Sequence, residues 1–317
     1  MELRPLLDVD LREALAPINR AARGEFVPAL RTVAQLRERA SSGVLDLKLS
    51  HGFWVGPGLG ATCLVEHLAD DPVAHIDVLA AESLAQQRGA IRALIEAVQS
   101  AAAVVGVTEL SALVSEMDST LGSALQLAGF SRRQPVVRYT LHGAPAALAL
   151  PTETEAGQRP ATSGRYASLV PVAEVLPFLS AAGSAHLLFG QRPVVLQRLS
   201  GRLSALRLCM VDGSGDGSGD ANVKAVVVVD RERKVFCALA GETAELSALV
   251  CLAATRHGIV HMDAIAEADP AVAALKNAGL VRSAVRVELV CDPRQAVEDR
   301  QRASQSRTPD AAAKGPE

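Results

Sequence analysis

Residues 86–95, QQRGAIRALI, join an apolar extended stretch to an amphipathic helical one, and this junction constrains the fold more than any other feature of the chain. Before it, 73–80 (VAHIDVLA) is rich in Val, Ile and Leu and reads as a buried strand. After it, Ile91, Leu94, Ile95 and Val98 recur at helical spacing. A helix that starts out of a turn leaves its first N–H groups without intrahelical partners, and these, with the positive end of the dipole, make an anion site. Gly89 lacks a Cβ and lets an anion approach the backbone; Arg88 and Arg92 add positive charge. The residues alone predict a phosphate-bearing ligand at this helix start, with an ordinary glycine-opened helix as the alternative.

Residues 3–6 read as a first strand, with Asp8 or Asp10 capping a helix that runs to about Ala22. Pro28 opens a second helix, ended by Ser41, Ser42 and Gly43. Residues 45–49 alternate apolar and charged side chains as a half-buried strand should, and His51 and Gly52 then turn the chain into Phe53, Trp54 and Val55. A Gly-Pro-Gly break at 56–58 precedes a strand at 61–68, and Asp70, Asp71 and Pro72 lead into 73–80. Turns this short predict an antiparallel meander. On 73–80, His75 and Asp77 share a face by alternation, and a histidine near neutrality is a candidate base for an amine nucleophile. A histidine merely hydrogen-bonded to Asp77 or to water fits the same residues. The central helix continues to about Val105, followed by a strand at 107–114, a short helix with a glycine C-cap within 118–130, and a last strand at 136–142.

QQRGAIRALI resembles motif A of the GNAT acyltransferases, Gln/Arg-x-x-Gly-x-Gly/Ala, with Gln86, Gly89 and Ile91 on its marked positions. Ile91 departs from the pattern by bringing a branched Cβ. Residues 118–130, DSTLGSALQLAGF, resemble the family's Asn-x-x-Ala-x-x-Leu-Tyr-x-x-x-Gly-Phe, with Asp118 for Asn and Leu125 for Tyr. The resemblance implies a mixed α/β (α+β) fold, a twisted, mostly antiparallel sheet flanked by helices. It implies that acetyl-CoA lies with its pyrophosphate on Gln86, Gln87, Arg88, Gly89, Ala90, Ile91 and Arg92. Its pantetheine arm would pair with Leu79, Ala80 and Ala81 in a splay between two strands, with Asp118 also at the cofactor site. Several enzymes of the family carry a catalytic Glu eleven residues before the motif, and the same count from Gln86 reaches His75. His75 with Asp77 is thus the expected catalytic pair. The family's Tyr protonates the leaving thiolate; Leu125 cannot, and neither Tyr139 nor Tyr166 lies on that helix.

Residues 143–164 are rich in Ala, Pro, Thr and Glu without periodicity and read as a linker. Beyond it the chain repeats itself. Ala278-Gly279-Leu280 followed by VRSAVRVEL matches Ala128-Gly129-Phe130 followed by SRRQPVVRYTL, and Glu267-Ala268-Asp269 matches Glu116-Met117-Asp118. Helices at 170–182 and 192–199, strands at 203–211, 223–230 and 234–240, and a helix at 244–256 complete a second GNAT-like domain. Its pyrophosphate turn is reduced to Ala240-Gly241-Glu242-Thr243, where Glu242 and Glu245 would repel a diphosphate. The expected domains are 1–142, binding acyl-CoA; a linker, 143–164; a degenerate copy, 165–291; and a disordered polar tail, 292–317. The degenerate copy is expected to cover the first site, stabilise it or form a homodimer. The loop at 212–220, DGSGDGSGD, lacks the late Glu and flanking helices of a calcium loop, so no metal is expected.

A length of 317 residues suits two domains, and an apolar share near one half lets each bury a core. Few aromatics and a net charge of −3 leave no footprint for nucleic acid. The five scattered cysteines read as small core residues in a reducing cytoplasm. The first residues do not resemble a secretory signal and no apolar run reaches the length of a membrane span, so a cytoplasmic protein is expected. Two functions fit. One is an acyl-CoA-dependent N-acyltransferase that moves an acetyl group to a small-molecule or peptide amine by direct attack. The other is a non-catalytic acyl-CoA-binding or regulatory protein of the same fold.

Overall fold

The computed structural model describes residues 2–21, 32–87, 89–116, 118–143, 164–182, 187–211 and 222–306. The chain divides into two compact units, Met1–Arg133 with Val287–Glu317, and Gln134–Arg286.

Unit 1 opens with β1 (Glu2–Pro5), α1 (Leu11–Ala21) and α2 (Val33–Ser41), the last started by a capping box between Thr32 and Gln35. A hairpin of β2 (His51–Val55) and β3 (Gly58–His67) follows, then β4 (Val73–Ala81), the one-turn helix α3 (Ser83–Gln87) and α4 (Ala90–Val104). Next come β5 (Glu109–Ser115) and α5 (Ser119–Leu127). Strands β1 to β4 pair antiparallel in chain order, while β5 lies parallel to β4, as a crossover through α4 requires. Leu94, Ile95 and Val98 of α4 share a core with Ala74 and Ile76 on one face of the sheet. On the other face Leu15, Ile18 and Leu36 of α1 and α2 share one with Val78 and Ala80. The buried pair Arg39–Glu66 joins α2 to β3.

The strand beside β5 is not the next one in the sequence. Chain order then gives β6 (Ser131–Leu141), β7 (Gly164–Val170), α6 (Val172–Ala181), α7 (Pro193–Arg198), β8 (Leu203–Val211) and β9 (Asn222–Asp230). These are followed by β10 (Val235–Gly241), α8 (Thr243–His257), β11 (His261–Ala266), α9 (Ala271–Asn277), β12 (Leu280–Cys291) and α10 (Pro293–Ser306). From Gln134 onward β6 belongs to unit 2, whose strand order is β6-β11-β10-β9-β8-β7. Val137 and Tyr139 are buried in that unit's core, and Arg138 holds Asp263 of β11 at 2.6 Å. The place next to β5 is taken by β12, which enters unit 1 at Val287.

Four expectations are corrected. The first domain does not end at 142, because the last strand of each half completes the other half's sheet; periodicity identifies a strand without naming its partner. The tail is not disordered from 292: Asp292 accepts the Arg294 N–H at 2.9 Å, α10 follows, and Arg300 reaches the buried Gln99 of α4. Residues 45–49 are not a strand. Only Leu45 bridges to Glu66, after which the Asp46 carboxylate accepts the N–H groups of Lys48 and Leu49 and closes a turn. His51 and Gly52 belong to β2, where the Trp54 ring covers Gly52 so closely that an added Cβ would lie 2.6 Å from it. The linker, the 212–220 loop and the stretch between the first two helices fall largely outside the described residues.

His67, buried on β3, has Nδ1 3.2 Å from the Asp46 carboxylate and Nε2 3.0 Å from the Asp71 carbonyl. Both partners are acceptors, so the geometry suits the imidazolium. The Asp46 hydrogen bond raises the His67 pKa against the effect of burial. Burial by itself would raise the Asp46 carboxyl, but hydrogen bonds from His67, Leu49 and Lys48 outweigh it and hold the group below its ordinary value. The raised histidine stabilises fully below its unfolded pKa, about 6.5, and stops doing so as pH rises through its folded value. The lowered carboxyl stabilises above about 3.9 and stops as pH falls through its folded value. Asp46→Asn keeps an acceptor but removes the charge. It is expected to lower unit 1 stability by about 1–2 kcal/mol near pH 6, with a smaller difference from wild type at a second, alkaline pH above the raised folded-state value of His67. Urea unfolding followed by Trp54 emission at both pH values checks this.

Candidate functional site

Strands β4 and β5 pair only from Val73–Glu109 to Ile76–Ala112, although β4 continues to Ala81 and β5 to Ser115. A bulge starts the separation. Against β3, Leu64 faces Val78 and Val65 faces Ile76, so Asp77 is an extra residue on β4, and a bulged strand bends and twists away from its neighbour. The C-terminal halves of the two strands thus open into a V-shaped gap. Glu82 N–H donates to the Gly60 carbonyl at 2.9 Å. Because backbone groups alternate sides along an antiparallel strand, Ala80 directs its groups at β3 while Leu79 and Ala81 direct theirs into the gap. Ala80, expected beside them as a pantetheine partner, is committed to the sheet. The Ala81 carbonyl accepts Nε2 of Gln86 at 2.8 Å.

The helix start lies at the mouth of this gap's strand. Gly89 is the N-cap of α4 with φ +75°, has no side-chain cap, and has open space where a Cβ would stand. Gln86 N–H is taken by Glu82, and Gly89 N–H by Gln86, both at 2.8–2.9 Å. Ala93 N–H bonds the Gly89 carbonyl. The first-turn amides of this helix are those of Ala90, Ile91 and Arg92. Gln86 and Gln87 thus close α3 instead of forming a loop, and Arg88 lies outside the described residues. The branched side chain of Ile91 packs against the core, which takes it away from any ligand on its amide. Arg92 pairs with Glu96 at 2.8 Å, one turn along the helix and in solvent.

His75 sits two residues before the bulge, in the closed part of the strand pair. Its Nδ1 is 2.9 Å from Oγ of Ser111, directly opposite on β5, and that hydroxyl also reaches the Ala74 carbonyl at 3.4 Å. In the tautomer whose Nδ1–H donates to Ser111, with that hydroxyl's hydrogen directed at Ala74, Nε2 is the basic nitrogen. Of the three histidines in unit 1, His51 and His67 are buried and His75 is half-exposed. The alternation behind the expected shared face of His75 and Asp77 is interrupted at the bulge. Before it, even-numbered Ala74 and Ile76 face α4; after it, Leu79 and Ala81 do. Asp77 stands at the fork of the gap, where burial first and then its charge push the Cys63 thiol far up. Asp118 caps α5 by accepting the Leu121 N–H at 2.9 Å. Leu125, where the family's Tyr would stand, is 1% exposed in the core beside Leu94 and Ile95.

Solved structures are similar to this one along nearly its whole length. A tandem GNAT protein from the clavulanic acid biosynthesis pathway matches with a TM-score of 0.63 and 15% identity, over 92% of this chain and 98% of that one. A putative acetyltransferase from Pyrococcus horikoshii matches with a TM-score of 0.61 and 11% identity, over 92% and 89%. A GCN5-related N-acetyltransferase from Sphaerobacter thermophilus matches with a TM-score of 0.58 and 14% identity, over 92% and 96%. The fold is a tandem GNAT fold. No protein-family model and no curated protein matches the sequence.

The second GNAT-like unit repeats the splay with a different helix start. Strands β10 and β11 pair only at Val235–His261 and Phe236–Met262, and Cys237 is the extra residue against β9. Gly241 is followed after one residue by α8, and a Cβ there would lie 2.5 Å from the Lys224 carbonyl. Glu245 in the first turn is buried against Arg165 at 3.0 Å, and Glu242 pairs with Lys224 at 3.6 Å. Both tyrosines belong to this unit, each 1% exposed. Among the described residues no cluster of His, Cys, Asp or Glu is placed to hold a metal ion, and no helix is long and apolar enough to cross a membrane. Sequence reasoning missed Ser111, whose role depends on cross-strand register, and Gln191, whose signal is a buried amide in a short turn.

Proposed function

We propose that unit 1 binds an acyl-CoA, acetyl-CoA in the simplest case, and passes its acyl group to an amine. One observation carries this reading: the gap that opens at Asp77 leads along Leu79 and Ala81 to the uncapped start of α4 at Gly89. The amides of Ala90, Ile91 and Arg92 suit a diphosphate, and the empty space at Gly89 suits its close approach. The backbone groups of Leu79 and Ala81 suit an extended amide-bearing arm, with the Gln86 side chain yielding the Ala81 carbonyl.

In the transfer, the amine nitrogen loses a proton to Nε2 of His75 and attacks the thioester carbonyl. The C–S bond breaks, and the thiolate takes a proton from the imidazolium or from water, since unit 1 contains no tyrosine. His75→Ala is expected to lower kcat by about 10²–10⁴-fold while leaving the Kd for acetyl-CoA nearly unchanged. Thiol release with a pool of small amines and peptides, together with isothermal titration calorimetry, measures both. Absence of heat at millimolar acetyl-CoA, with the protein folded, overturns the whole reading.

A second reading, a non-catalytic acyl-CoA-binding protein, is favoured by Leu125 lying in the core where the family's general acid stands. Binding without thiol release above background selects it.

A further inference from the structure

Ala264 lies on β11 beyond the last pair with β10, on the edge of the second unit's gap. Glu267 N–H donates to the Pro135 carbonyl of β6 at 3.0 Å, and the register of β11 against β6 shifts between Met262 and Ile265, so Ala264 lies in a bulge outside the regular β6 ladder. Its carbonyl accepts Nε2 of Gln191 at 2.7 Å. Gln191 ends a one-turn 3-10 helix, Phe189–Gln191, and its Oε1 accepts the Leu188 N–H of the same turn at 3.2 Å. Leu188, Phe189 and Gln191 are 5, 4 and 6% exposed. A primary amide is thus presented to a splayed strand edge from a buried, apolar-flanked turn, as the amide of an extended ligand is presented in strand addition.

We infer that the second unit's cleft is occupied by the chain itself, the turn 188–191 standing where an amide-bearing arm of the pantetheine class would lie. This rests on the reading of the unit 1 gap as an acyl-CoA cleft and goes further for unit 2. The acidic start of α8 rejects a diphosphate, but the filled gap also rejects pantetheine, which carries none. Gln86 and Gln191 differ in the same sense. Gln86 is exposed at the mouth and can swing away, whereas Gln191 is locked by its own turn. The chain therefore takes one acyl-CoA, and unit 2 is a closed module whose order does not depend on that ligand.

Hydrogen exchange of the full-length protein with CoA or with pantetheine tests this. CoA is expected to slow exchange across 79–95 and to leave 187–192, 238–242 and 261–266 unchanged, with pantetheine also leaving the last three unchanged. Slowing of those three segments by either ligand overturns the inference. Gln191→Leu, which keeps the bulk and loses the amide, is expected to speed exchange across 261–266 by about tenfold; no change there also overturns it. Should that variant not fold, the wild-type ligand experiments still decide. Failure of CoA to protect 79–95 strikes the acyl-CoA reading, whereas the Gln191→Leu result bears on the plug alone.

Discussion

Removal of residues 287–317 is expected to unfold unit 1 even though its first 133 residues remain. The deletion takes Val287, Leu289 and Cys291 out of the core they share with α4 and β5. At about 1.5–3 kcal/mol for each of the two large side chains and somewhat less for the cysteine, the loss is about 5 kcal/mol. Domains of this size are stable by only about 5–15 kcal/mol. Further costs add to it, since β5 loses the strand on its far side and the buried Gln99 loses both Arg300 and the Cys291 thiol. Trp54, the single tryptophan, is 5% exposed in unit 1 and reports on that unit alone. Its emission is expected to shift to the red in the shortened chain, together with loss of acetyl-CoA binding. A buried-type emission spectrum with binding intact would show that unit 1 is complete without its C-terminal piece.

Gly89→Glu is expected to weaken acetyl-CoA binding by at least 100-fold without unfolding the protein. Two effects combine. A carboxylate at the helix start faces the diphosphate; one unit-charge pair at 4 Å is worth about 4 kcal/mol at an effective dielectric of 20, reduced to about 2 kcal/mol at this solvent-exposed position. The φ of +75° adds about 1 kcal/mol of strain for a residue with a Cβ, which depopulates the competent turn. Together, about 3 kcal/mol corresponds to a change in Kd of more than 100-fold. Gly89→Asn separates the effects, because asparagine tolerates the left-handed region and carries no charge; it should lose less than tenfold. Equal affinities for the two variants by isothermal titration calorimetry would place the diphosphate elsewhere.

Much of the site is legible in the order of residues. A valine- and isoleucine-rich strand, a glycine and an amphipathic helix specify a strand, a turn and a helix start because each depends on near neighbours in the chain. Gly89 adopts the left-handed backbone that a missing Cβ permits, and α4 begins at Ala90. The repeat was legible for the same reason, since Gly129 and Gly279 each end a short helix with positive φ.

What the sequence could not decide is which distant segments meet. The exchange of β6 and β12 between units depends on partner choice between strands of equal apolar pattern, which only the assembled sheets settle. The bulge at Asp77 changes which side of β4 each residue faces, and it arises from register against β3, not from composition. The helical tail is polar by sequence and becomes ordered because Gln99, buried in α4, offers Arg300 a partner. Local order followed from local chemistry, whereas the pairing of strands, the direction of backbone groups into the unit 1 gap and the filling of the second gap by Gln191 were decided by tertiary contacts, where long-range packing and hydrogen bonding outweigh local preference.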